Sequence, residues 1–366
     1  MSKKIDWDGL TVALKNNRCV LFLGPDAYPY DEKQTVEQAM WAHTIATQSH
    51  LVLKFYADDG LVLFKKAVHR NLFRETMVQF YENHQNWNLT NLQLQKMVQL
   101  PFLAIVNFTL DDLLYEYFKS EGFTAQFVPY IFKPNLTEKI IQDLSLNLNK
   151  TLILNLLGTF RSCDNLVLTH ADLFDFLKII FNDKNAWLKE LLHQADFFLF
   201  IGVSFEKWYF QLLKQQLAGY TKSGDDAERY ALLDGKSIQF KDLYEHQLKI
   251  QFIEDTAHYD VITQLYEFCA KSGILKQPSF PKQSYKDPTL QKIYEKLLSG
   301  KLKEAIDTFL EYATDRNTHN RLVTISSSYH HFEKDLNVLS IENKSIERNK
   351  ILNRVLECLN CFSSED

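Results

Sequence analysis

TLILNLLG, residues 151–158, is an unbroken apolar run that stops at a glycine. CVLFLG at 19–24, PFLAIVNF at 101–108, ADFFLFIG at 195–202, YALLDG at 230–235 and KIQFIE at 249–254 are similarly apolar and run into a turn or a helical pattern. Continuous rather than alternating apolarity marks strands covered on both faces, which is the pattern of a parallel sheet held between helices. Helical periodicity fills the gaps, as in DDLLYEYF (111–118), HADLFDFLKIIF (170–181) and EKWYFQLLKQQL (206–217). This alternation predicts an α/β fold with a doubly wound parallel sheet, whose ligand crevice lies beyond the carboxyl ends of the strands.

The pattern changes after KQPSFPKQSYKDP (276–288), where three prolines among polar residues can continue neither a helix nor a central strand. Beyond it, Leu290, Ile293 and Leu297, then Leu302, Ala305, Ile306, Phe309, Leu310 and Ala313, then Leu322, Ile325, Tyr329, Phe332, Leu336 and Leu339 follow helical spacing. Ile351, Val355 and Leu359 mark a last helix. The expected organisation is therefore an α/β domain over 1–275, a linker over 276–287 and a small all-α helical bundle over 288–366.

Composition narrows the function. With 41 Lys and Arg against 46 Asp and Glu, the net charge is −5 and no basic face is concentrated, so neither nucleic acid nor an anionic membrane is expected as a partner. Five scattered cysteines and no apolar leader fit a reducing, cytoplasmic setting. Cys358 and Cys361 form one C-x-x-C on an apolar-periodic helix, without a second pair or a nearby histidine, so no metal site is expected.

The strand ends resemble the sirtuin-like NAD-consuming family, in particular the branch found as effectors in bacterial antiphage defence. The resemblance rests on order as well as wording: FLGPDA (22–27), VNFTLDDLLYEYF (106–118), LLG (156–158), LVLTHADLFDFL (166–177), FIGVSFEKWYF (200–210) and IQFIEDTAHYDVITQLYEF (250–268). It implies a Rossmann-like fold, an NAD cofactor and NAD glycohydrolase chemistry. Matching Asp111, Asp112, Leu113 and Leu114 to the family's Asp-Asp-Leu-Leu puts Thr109 at the position of the catalytic asparagine and Leu157 at that of the catalytic histidine. Asn107 then lies two residues early, about 6.6 Å along a strand.

In the first loop the family's second glycine is Asp26, preceded by Pro25. Proline removes an N–H donor, and a carboxylate about 4 Å from a phosphate costs roughly 4 kcal/mol at an effective dielectric near 20. These departures predict a degenerate catalytic centre and weak nucleotide binding or none. Candidates for relocated chemistry are Asn107, His170 and Asp112. Gly24, Gly158, Gly202 and Ser204 are the candidates for any nucleotide contact. The preferred reading of IGVS (201–204) is nevertheless a turn glycine and a serine capping a helix ahead of Glu206, which needs no ligand.

The tail resembles the effector-associated domains of bacterial conflict proteins, death-like helical bundles that recruit matching modules. LLSGKLKEAIDTFLEYA (297–313), LVTISSSYHHFEKD (322–335) and IERNKILNRVLECL (346–359) carry that resemblance. It implies a protein partner bearing a matching module and a homo-oligomeric assembly, with Arg348, Glu347 and Lys350 as candidate partner-selecting charges. The expectation is a pseudoenzyme acting in assembly or sensing with an adaptor tail. The alternatives are an active NADase working through relocated residues and a purely structural subunit.

Overall fold

The computed structural model describes residues 5–31, 33–82, 87–129, 151–160, 166–181, 186–213, 227–232, 241–253, 258–278, 287–298, 301–313 and 316–335, together with 351, 354, 355, 358 and 359. The chain divides into two compact units, Met1–Pro278 and Ser279–Asp366.

In the first unit seven parallel strands form one sheet in the order β5-β6-β4-β1-β7-β8-β9. They are β1 (Cys19–Leu23), β4 (Ala104–Asn107), β5 (Ala125–Pro129), β6 (Thr151–Asn155), β7 (Phe197–Ile201), β8 (Glu228–Leu232) and β9 (Ile250–Ile253), with β2 (Val52–Tyr56) and β3 (Leu61–Phe64) forming a separate antiparallel pair. Every residue of β1, β4, β6 and β7 is buried, as continuous apolarity requires of strands covered on both faces. β5 lies at the sheet edge with mostly half-buried residues, only Val128 of AQFVP being buried.

The covering helices are α1 (Trp7–Lys15), α2 (Val36–Thr47), α3 (His69–Glu82), α4 (Asn88–Met97), α5 (Leu113–Ser120), α6 (His170–Ile180), α7 (Ala186–His193), α8 (Lys241–Gln247) and α9 (His258–Lys271). Two of them start at reciprocal capping boxes, Thr35 with Gln38 on α2 and Thr169 with Asp172 on α6, which satisfy N–H groups left open in a first helical turn. From β1 the chain moves to β4 on one side and later returns to β7 on the other. The carboxyl ends of β1 and β7 thus form the switch point at which an open α/β sheet binds its ligands.

The second unit contains α10 (Pro288–Leu298), α11 (Leu302–Tyr312), α12 (Arg316–Asp335) and helical residues at 351, 354, 355, 358 and 359. Asp287 opens α10 by accepting the N–H groups of Thr289 at 2.6 Å and Leu290 at 3.2 Å, followed by Pro288, whose missing donor costs nothing in a first turn. Ile293, Ala305, Ile306, Phe309, Leu322, Val355 and Leu359 form its core. A core this small has little reserve. Phe309→Ala, with its ring fully buried, should lose about 3–5 kcal/mol and unfold the bundle; loss of one of two unfolding transitions in calorimetry is the expected readout.

Candidate functional site

The switch point is built by two glycine turns that interlock. Gly24 N–H donates to Ile201 O at 2.8 Å, Asp26 N–H to Gly202 O at 3.0 Å, and Ala27 N–H to Gly24 O at 3.1 Å. Pro25 has no N–H, and residues Pro25–Ala27 wind into a single 3-10 turn. The backbone donors that a phosphate cradle needs are therefore occupied at Gly24, Asp26 and Ala27.

The approach explains both glycines. A Cβ on Gly24 would stand 2.1 Å from Gly202 O, and one on Gly202, where φ is +65°, would stand 2.1 Å from Ala27 N. Their role is close backbone contact between β1 and β7. Ser204 departs from the capping expectation: the following helix begins at 208, four residues on, and the Ser204 hydroxyl donates to Asp26 Oδ2 at 3.4 Å. Gly158, at φ +80°, closes a tight turn through its N–H to Asn155 O at 3.3 Å.

The asparagine candidate Asn107 and the aligned position Thr109 are engaged, with Asn155, in a buried network at the ends of β4 and β6. Asn107 and Asn155 are register partners, and Asn107 Nδ2 donates to Asn155 Oδ1 at 3.1 Å. Asn107 Oδ1 accepts from Thr109 N–H at 3.1 Å and from its hydroxyl at 3.0 Å, and Asn155 Nδ2 donates to Asp111 O. Thr109 thus serves Asn107 in a local turn. Asp111, rather than Asp112, opens α5, accepting Leu113 N–H at 3.0 Å; the side chain of Asp112 makes no cap bond.

Leu157 is buried, and with Phe108, Leu110, Val167 and Phe210 it encloses a void of only about 10 Å³. Little room is left beside the position of the family's histidine, although Glu37, Asp59 and Lys207 border the same void. His170, at the start of α6, lies 3.5 Å from Asp59 Oδ2 and edge-on to Tyr56, with ring centroids 4.7 Å apart. These contacts and those of Asn107 share no residue, so the described contacts do not unite the fallback candidates in one constellation.

An open cleft of about 630 Å³ adjoins the glycine turns and shares Glu37, Asp59 and Lys207 with the void beside Leu157. Asp26, Glu37, Asp58, Asp59 and Glu206 line it against one lysine, Lys207. That lysine is already engaged, 3.7 Å from Glu37 Oε1, which also accepts Trp41 Nε1–H at 3.1 Å. Burial works to lower the Lys207 pKa, but Glu37, Tyr209 and Asp26 together carry it above the ordinary value. A phosphate-bearing ligand would face a net negative wall. Tyr209 is buried, its hydroxyl donating to Asp59 O at 3.0 Å, whereas Trp208 stays 37% exposed on the cleft instead of packing on the sheet. Among the described residues no group of three or more His, Cys, Asp or Glu could hold a metal ion.

Residues 104–253 match the SIR2-like domain model, and residues 288–361 match that of effector-associated domain 11. The chain joins a SIR2-like domain to an effector-associated domain. The SIR2-like match begins at β4, so neither β1 nor the Gly24 turn lies within it. No curated protein matches the chain. Arg348, Glu347 and Lys350 of the effector-associated domain lie outside the described residues.

Two predictions follow from this geometry. Gly24→Ala and Gly202→Ala should each destabilise the SIR2-like domain by on the order of 3 kcal/mol or more, because the new methyl meets backbone that cannot step aside. Gly273→Ala is the control: at φ +65° with nothing within 4 Å, it should cost only about 1–2 kcal/mol. Thermal midpoints of the three variants check the ranking.

Burial lifts the Asp111 pKa from 3.8 to about 6. At low pH the carboxyl is protonated in both folded and unfolded chains. As pH rises through the folded value, only the buried group resists ionising, and stability falls by on the order of 3 kcal/mol. Asp111→Asn should remove this component, so that its stability relative to the parent improves between about pH 4 and about pH 7 in urea titrations. A difference that stays constant with pH would contradict the assignment.

Proposed function

We propose that the protein is a bacterial antiphage or conflict-system component whose SIR2-like domain serves assembly or sensing without cleaving NAD, while its effector-associated domain recruits a partner carrying a matching module. The pairing of the two domains fits a bacterial conflict-system protein. The observation that carries the pseudoenzyme part is the engagement of Asn107 with Asn155 and Thr109 beside a position filled by Leu157. Hydrolysis of the nicotinamide bond needs a polar group to orient the ribose and a base within hydrogen-bond reach. A leucine supplies neither.

The residues at the switch point do not fit NAD. Three backbone donors of the first loop are bonded within the protein, and the adjoining cleft is lined chiefly by carboxylates. Nucleotide binding is accordingly weak or absent. The effector-associated domain supports protein–protein recruitment, and no helix among the described residues is long and apolar enough to cross a membrane.

A time course of nicotinamide release, with the chain alone and with its partner, tests the reading. The expected result is no release above the uncatalysed background. Turnover that disappears in Asn107→Ala or His170→Ala would establish the NADase alternative. Leu157→His combined with Thr109→Asn should not create activity, because the Gly24 and Gly202 turns remain interlocked.

A further inference from the structure

We propose that the side-chain amine of Lys276 is a covalent modification site, acylated by a small activated acyl donor, either an acyl phosphate or an acyl thioester. Lys276 contacts the amino end of the sheet, through the first residue of β6, whereas the glycine turns lie at the carboxyl ends.

The residue sits on the segment that follows α9. Ile274 N–H donates to Cys269 O at 3.0 Å, Lys276 N–H donates to Gln99 O at 2.8 Å, and Ile274 and Leu275 pack against the core of the SIR2-like domain. These contacts hold the backbone so that the Lys276 amine donates to the hydroxyl oxygen of Thr151. Thr151 is buried, and its own proton goes to Phe102 O at 3.0 Å. Its oxygen can therefore only accept from Lys276, so this hydrogen bond uses an N–H and leaves the lone pair of the neutral amine free. Among the described residues no carboxylate pairs with the amine, and burial alone acts on it, lowering its pKa from 10.5 to about 8.

The surroundings select among the modifications open to an amine. Acylation removes the charge that burial opposes and keeps one N–H, which is what the Thr151 oxygen accepts. Methylation keeps the charge. A neutral imine formed with an aldehyde has no N–H, and its protonated form restores the charge. In the acylation step the amine lone pair attacks the acyl carbon and the N–C bond forms. The bond from that carbon to the phosphate oxygen or thiolate sulfur breaks, the leaving group departs with the electron pair, and the surplus proton on nitrogen passes to water. Lys276 is half-buried rather than enclosed, which gives a small donor access. Once acylated, the side chain is no longer penalised by its burial, so modification tightens the hold of residues 274–278 on the sheet.

The test is trace acetylation of the full chain across a pH series, with acetyl phosphate in one arm and a small acetyl thioester in the other, read lysine by lysine by peptide mass spectrometry. Near pH 7.5 roughly a quarter of the Lys276 amine is neutral, against about one part in a thousand for an ordinary lysine, and lower basicity and partial burial reduce that advantage. Lys276 should still label about tenfold faster than the exposed Lys15 and Lys249, with a rate that levels off above about pH 8. The arm that labels it faster identifies the donor class. Labelling no faster than that of Lys15 and Lys249 in both arms, or a rate still rising past about pH 10, overturns the proposal. Amide exchange over residues 274–276 reads the consequence. It should slow in the acetylated chain and stay unchanged when Lys276→Arg receives the same treatment. Exchange that is not slowed in the parent, or that slows equally in Lys276→Arg, overturns the tightening.

Discussion

The backbone contact between Gly24 and Gly202 governs what the SIR2-like domain can do. It joins the two central strands, β1 and β7, just past their last paired residues, where an open α/β sheet ordinarily keeps a gap. Three N–H groups, of Gly24, Asp26 and Ala27, bond to three carbonyls, of Ile201, Gly202 and Gly24. The turn at Pro25 cannot open towards a phosphate without breaking these bonds, and Asp26 lines the acidic cleft. The occupied donor set and the Asn107–Leu157 region are separate features of one domain, since the first lies past the ends of β1 and β7 and the second at the ends of β4 and β6.

Much of this was legible in the sequence because burial on both faces leaves an unmistakable apolar run. Six of the seven sheet strands coincide with such runs. The seventh, β5, escaped because an edge strand needs only partial burial, and AQFVP is a short stretch interrupted by a glutamine and closed by a proline. The β2–β3 pair escaped for a similar reason, since it exposes Leu53 and Leu63. Leu157 and the Pro25-Asp26 pair could be read directly, because each is a local feature of the chain that needs no distant partner.

What the sequence withheld depended on register and on distant contacts. Asn107 and Asn155 are 48 residues apart, and only the pairing of β4 with β6 makes them neighbours. The same holds for Lys207 and Glu37, whose ion pair joins residues on opposite sides of the cleft. Ser204 was misread because Ser-x-Glu ahead of an apolar-periodic stretch imitates a helix start; here the helix begins later, and Asp26, far away in sequence, claims the hydroxyl.

The claim on which the account turns is that the Asp26 and Ala27 amides are bonded within the protein and are not available to a ligand. Native-state hydrogen exchange at these two amides, with and without NAD, measures this directly. The account predicts protected amides whose exchange is unchanged by NAD. Amides that exchange freely in the ligand-free chain and become protected when NAD is added would contradict it.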